Sequence, residues 1–295
     1  MKRVMKIFQI LIAGVFISLL ASQKNLCLEE IIAGIKHSES LIKSWRVKSY
    51  VVSYTSSGEK IEDTRIWVKK GDKIYMEQFG KKGERKVVAS YDGEILRVWS
   101  NNKKAIIEIP TKQKLRGVFS REFSPYNLFE LVPGETQSFS EFLSQKSENK
   151  RIKLSEMEII EGKKCYKIEV EKFFPETKMR DISRIFICPD FGFRPLKIEG
   201  ELLNRNGRIV AKGVLNYEYT RIKNIWFVSK VRKFSEMNFP EEEGYDERFR
   251  GSTRWIIEFK DIKINEEIPD SFFQIKFPPG TRVWDERTGV SYIVK

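Results

Sequence analysis

The 295-residue sequence contains one histidine and three cysteines, and much familiar catalytic and metal chemistry falls with that shortage. His37 lies on the polar side of a helical pattern, where a lone histidine reads as a surface residue; it offers neither a His-containing triad nor a zinc cluster. No Cys-x-x-Cys pair and no Gly-x-x-x-x-Gly-Lys-Ser/Thr loop occurs, so dithiol redox and P-loop phosphate chemistry lack their usual carriers. Blocks of five or six like charges are missing too, although 54 Lys and Arg stand against 41 Asp and Glu. Interspersed signs describe a solvated surface rather than a stripe for nucleic acid. Carboxylates that do cluster, Glu241-Glu242-Glu243 beside Gly244, read as loop charge and not as an acid/base pair. The expectation is a chain that is not an enzyme, with no cofactor, no metal and no nucleic-acid partner.

Long apolar runs are equally scarce. The only one, Ile7–Ala21, follows Lys2, Arg3 and Lys6. A basic start and an apolar stretch of roughly 15 residues describe a secretory leader, short of the about 20 residues needed to span a bilayer. Residues 1–27 are therefore expected to be a signal peptide cleaved near 21–27, and 28–295 a single exported domain. Cys27 follows Leu26, whereas a lipobox needs a small residue there, so a lipoprotein or an uncleaved N-terminal anchor is the lesser alternative. Without the three basic leader residues the net charge is about +10, a balance that favours anionic partners such as phospholipid headgroups.

Beyond the leader, Leu28–Ser44 spaces Leu28, Ile31, Ile32, Ile35, Leu41 and Ile42 as one apolar helical stripe. Short β-branched and aromatic runs follow: Trp45–Thr55, Lys60–Lys69, Asp72–Phe79, Arg85–Tyr91, Glu94–Trp99 and Lys103–Ile109. Gly71-Asp72, Asp92-Gly93 and Asn101-Asn102 between them are hairpin chemistry, because these residues tolerate positive φ. Phe123–Leu143 interrupts the strands. Ser124-Pro125 opens one short helix, Pro133-Gly134 stops it, and Ser138–Leu143 begins a second. Strands resume at Arg151–Ile160, Lys163–Lys172, Asp181–Cys188, Arg194–Leu203, Arg208–Tyr219, Ile225–Phe234 and Thr253–Ile264, with an acidic, turn-rich loop at Asn238–Gly251.

A hairpin turning near Pro175-Glu176-Thr177 would set Cys165 opposite Cys188. The same register pairs Tyr166 with Ile187, Ile168 with Ile185 and Val170 with Ser183 on one face, and Glu169 with Arg184 on the other. A slip of one residue would destroy both matches. A cross-strand Cys165–Cys188 disulfide is one reading of this pair, and two half-buried thiols the other. Roughly a dozen strands in one sheet must curl to bury the inner face. The fold class is mainly β: a single large antiparallel, strongly curved sheet, an unclosed half-barrel, with an N-terminal helix and two short lid helices.

Particular segments carry a likeness: Arg65–Lys69 turning into Lys73–Glu77, the Tyr91–Trp99 Asp-Gly hairpin, Ser124–Leu131, Ile187–Ile198, and the ending Ile268–Phe273, Phe277–Thr281 and Val283–Asp285. In this order they resemble the LolA/LolB-like superfamily of periplasmic lipoprotein carriers and related lipid-binding proteins. The resemblance implies an unclosed barrel whose apolar concave face holds acyl chains of a lipoprotein or phospholipid beneath helical lids, in the periplasm, without catalysis. Tyr126, Leu128, Phe129, Phe139 and Phe142 are then the expected lid and cavity residues. An envelope sensor of the RseB type, binding lipid and a membrane-protein partner, and a structural exported β protein are the alternatives.

Overall fold

The computed structural model describes residues 26–80, 82–119, 138–239 and 250–295. Helix α1 (Leu28–Ser40) leads into β1 (Ser44–Tyr54), β2 (Lys60–Lys70), β3 (Lys73–Phe79), β4 (Arg85–Tyr91), β5 (Leu96–Ser100) and β6 (Lys104–Glu108), a meander of hairpins. After α2 (Lys112–Phe119) and α3 (Phe139–Ser144), the chain starts again with β7 (Lys150–Ile160) and β8 (Lys163–Phe174). It continues through β9 (Met179–Cys188), β10 (Arg194–Leu203), β11 (Ile209–Ile222), β12 (Ile225–Asn238) and β13 (Arg250–Ile264). A second meander thus runs back until β13 pairs with β1, Val51 opposite Ile257. The short strands β14 (Arg282–Asp285) and β15 (Val290–Ile293) complete one 15-stranded sheet in the order β15-β14-β6-β5-β4-β3-β2-β1-β13-β12-β11-β10-β9-β8-β7. Strands β15 and β7 end that order without pairing to each other, so the sheet is not closed. The half-barrel expectation is met, with one departure: β14 joins β6 in parallel.

Hairpin turns follow the sequence chemistry with one shift. Gly71 and Gly93 take positive φ as expected, but in the Asn101-Asn102 turn the left-handed position falls on Lys103, φ 59°. Register shifts interrupt the ladders at Arg46/Lys48, Pro195/Lys197 and Glu218/Tyr219. Such bulges bend the strand that carries them, and here they let a long sheet wrap a core.

One face buries the main core. Val47, Val51, Trp67, Met76, Ala89 and Leu96 from the first meander join Ile168, Ile185, Ile187, Ile198, Val231 and Ile257 from the second. Helix α1 lays Ile31 and Ile35 onto this face, and α3 adds Phe139, Phe142 and Leu143. Among the described residues no helix is long and apolar enough to cross a membrane.

The opposite, outer face is crossed by the segment from Asn265 to Thr281, which carries the chain from β13 to the far edge. Phe273 and Ile268 bury against Val68, and Asp270 is held by Lys70 at 2.9 Å and Lys73 at 2.7 Å. Hydrogen bonds from Lys73 and then Lys70 hold the Asp270 carboxyl down to about 2, against about 3.9 in an unfolded chain. A depressed carboxyl stabilises the folded state above its unfolded value, and that contribution is lost as pH falls through the folded one. This clamp is expected to stay closed down to about pH 3. An NMR titration checks it: the Asp270 midpoint near 2 should return to about 4 in the Lys70→Ala/Lys73→Ala variant.

Candidate functional site

The site begins with strand alternation, which sends every second side chain to the inner face. On β1 that set is Trp45, Val47, Ser49, Val51 and Ser53; on β2, opposite, it is Trp67, Arg65, Asp63 and Ile61. The inner face is therefore divided along its strands. At the end nearer Trp45 it is apolar and aromatic, with Trp67 fully buried, Trp45 edge-on to Phe227 at 6.3 Å, and Ile264 alongside. Toward the other end it becomes polar.

That polar floor is built as a chain of contacts. The Trp67 indole N–H donates to Ser49 Oγ at 3.2 Å. The Arg65 guanidinium lies over the Trp67 ring, 5.9 Å from its centroid, and pairs with the Asp63 carboxylate. Gln78 Nε2 donates to the same carboxylate oxygen at 3.3 Å. Further along, Ser235 and Thr253 share a hydrogen bond of 2.7 Å across β12 and β13, and Lys233 stands 5.6 Å from the Trp255 ring. Arg65 is only 3% exposed. A charge that deep needs an opposite charge beside it, which Asp63 provides through the Arg65 Nη2 contact to its Oδ2.

Helices cover the apolar end. The Ser138 hydroxyl caps α3, accepting from the Glu141 N–H, while Glu141 reaches back to the Ser138 N–H at 2.9 Å. Glu39 of α1 accepts from the Ser140 N–H at 3.2 Å and from its hydroxyl, tying α3 to α1. The C-terminal turn of α1 is fixed by Arg194, whose Nη2 donates to the Ser38 carbonyl at 3.3 Å; a cation there also complements the helix dipole. Burial pulls the Arg194 guanidinium below its ordinary value. Gly34 allows close approach to the sheet: a Cβ there would sit 2.6 Å from the Phe193 ring.

Of the expected lid residues, Phe139 and Phe142 lie in α3 and are buried in the main core, 2% and 6% exposed. Tyr126, Leu128 and Phe129, and the helix expected to open at Ser124-Pro125, fall outside the described residues. Helix α2 was not expected; its Leu115, Val118 and Phe119 pack against the same core. Nor was the polar floor, although Asp63 and Arg65 share parity with Trp67 and so had to face inward with it. Among the described residues no group of three His, Cys, Asp or Glu side chains converges as a metal site.

Strands β8 and β9 pair in the expected register, with Tyr166 opposite Ile187, Ile168 opposite Ile185 and Val170 opposite Ser183 on the inner face, and Glu169 opposite Arg184 on the outer one. The next position outward sets Cys165 against Cys188, both free thiols, fully buried with Phe186 and Leu196. The hydrogen bond they share lowers the Cys188 thiol and raises that of Cys165.

No protein-family model matches the sequence, and no curated protein sequence does. Solved structures do. The chain superposes on a DUF1329 family protein from Desulfovibrio piger with TM-score 0.51 and 12% identity, covering 83% of this chain and 96% of that one. That match shows a shared fold. A LolA superfamily protein from Nitrosomonas europaea aligns at TM-score 0.48 and 14% identity, over 84% of this chain and 97% of its own. A putative outer membrane lipoprotein-sorting protein domain from Vibrio parahaemolyticus aligns at 0.46 and 10%, over 83% and 96%. The likeness is one of architecture: a large sheet, open at its edges, with helices laid over its inner face.

Proposed function

We propose that the chain is an exported, non-catalytic carrier that holds acyl chains of a lipoprotein or phospholipid against the inner face of its LolA-like sheet. Residues 1–27 act as the signal peptide in this reading, and 28–295 as the carrier domain, delivered to the periplasm. The observation that carries it is the division of the inner face: aromatic and aliphatic beneath α1 and α3, ionic around Asp63 and Arg65. An amphiphile fits such a floor, with chains at the apolar end and a polar head toward the charged one. Each methylene removed from water contributes about 0.8 kcal/mol, so ten give about 8 kcal/mol without any catalytic group.

Entry and release need a cover that moves, and the stretch of sequence between α2 and α3, which contains Tyr126, Leu128 and Phe129, is the segment assigned that role. A fluorescent fatty acid tests the assignment. Phe129→Asp places a carboxylate among the chains and is expected to weaken probe binding at least tenfold while the urea midpoint holds. Unchanged affinity would remove Phe129 from the site.

In an oxidising compartment the cysteine pair gains a role. With glutathione disulfide as oxidant, Cys165 and Cys188 lose two protons and two electrons and join as a disulfide, and two glutathione thiols are released. Closing a loop of that length stabilises by about 3 kcal/mol. Alkylation of the exported chain 28–295 after unfolding should then leave Cys165 and Cys188 unmodified, and labelling of both would contradict the disulfide.

A further inference from the structure

A cavity lies on the other side of the sheet, away from the inner face that α1 and α3 cover. It measures about 320 Å³ and is a half-open pocket between β3, β4 and β5 and the segment that crosses the outer face. Strand alternation builds one wall: Ile74 and Met76 point into the main core, so Tyr75 and Glu77 point out, beside Val88 and Trp99 of the neighbouring strands. Phe272 and Phe277 form the other wall, with Phe272 edge-on to Tyr75 at 4.8 Å. Four aromatic side chains thus surround one small space.

The carboxylate in that space is 6% exposed and only half used. Both bonds to Glu77 fall on Oε1: the Tyr75 hydroxyl donates to it, and Arg85 Nη2 approaches at 3.1 Å. Among the described residues Oε2 has no hydrogen-bond partner. Arg85 itself is 61% exposed, so its guanidinium is largely in water and only partly neutralises Glu77. Lys276 lines the same rim, exposed and without an ion-pair partner among the described residues.

We infer that this cavity is a binding site for a zwitterion carrying an organic ammonium and a phosphate. Aromatic faces attract alkylammonium ions, and they do so most strongly where water is excluded. A buried carboxylate with one free oxygen supplies the counter-charge that such a cation needs on leaving water. Arg85 and Lys276 stand where the attached phosphate would emerge, and an arginine swinging from Glu77 to phosphate exchanges one charge-assisted bond for another. The pocket is on the opposite face from the proposed acyl site and stands without the carrier reading. Its chemistry is that of phosphocholine or phosphoethanolamine, free or as a phospholipid headgroup.

Calorimetric titration of the purified full chain with free phosphocholine, and co-sedimentation with phosphatidylcholine vesicles, distinguish the sources. Saturable heat with the free compound identifies a soluble ligand; binding to vesicles alone identifies the headgroup in a membrane. In either case Glu77→Gln, which keeps the shape of the side chain, should weaken binding at least tenfold. Lys276→Glu changes an exposed residue and leaves folding intact. It should weaken phosphocholine at least threefold and leave tetramethylammonium binding unchanged. The proposal is overturned if the wild-type chain binds neither phosphocholine nor vesicles, or if Glu77→Gln and Lys276→Glu bind as the wild type does.

Discussion

Replacing Trp67 by alanine should destabilise the protein by about 3–5 kcal/mol, the range for removing a large buried aromatic. Three effects combine in the one residue. Its indole is fully buried where the inner faces of β1, β2 and β3 meet. Its N–H satisfies Ser49, itself without exposure, and its ring carries the Arg65 guanidinium. The void left would be walled partly by Val47 and Met76, its cross-strand neighbours, which stay where the sheet ladders hold them. Urea unfolding measures the loss as a lower midpoint at unchanged slope. A shift below about 1 kcal/mol would mean that the inner face is loosely packed around Trp67. Tight packing there bears on function, because a firm floor sets the shape against which acyl chains are held.

The second large effect is electrostatic. Asp63→Ala removes the carboxylate from a guanidinium that is 3% exposed, and breaking one side of a buried pair costs about 3–5 kcal/mol. Gln78 loses its acceptor in the same step. Asp63→Asn keeps a hydrogen-bonding oxygen and should cost less, so the difference between the two variants reads the charge apart from the hydrogen bond. Equal losses would show that Arg65 does not depend on the Asp63 charge. Carriers with purely apolar hollows need no such pair. Its retention beside Trp67 makes physical sense where a ligand head must find polar partners at one end.

Much of this was legible in the chain, and particular elements explain why. The β8–β9 hairpin was readable to the residue because two independent patterns, the Tyr166/Ile168/Val170 face and the Glu169–Arg184 pair, agree on one register. Helix α3 was readable because Ser138 and Glu141 form a capping box. Helix α2 was not: it follows Ile109-Pro110 as a basic stretch in which Leu115, Val118 and Phe119 are too few to stand out from a loop. Strands β14 and β15 are four residues each, and β14 pairs in parallel with a strand distant in sequence, a contact that local periodicity does not encode. The polar floor stayed hidden because Asp63 and Arg65 look like the solvent side of a strand; only Trp67, two residues on, reveals which way they face. The outer cavity needs the crossing segment, whose path over β3 is set by tertiary contacts of Ile268 and Phe273.

The most direct test of the carrier reading is mass spectrometry of an organic-solvent extract from the folded chain, purified after export. The account predicts phospholipid or acylated peptide at about one molecule per chain, lost from Phe129→Asp. A clean extract from well-folded protein, together with no uptake of added lipid, would contradict it.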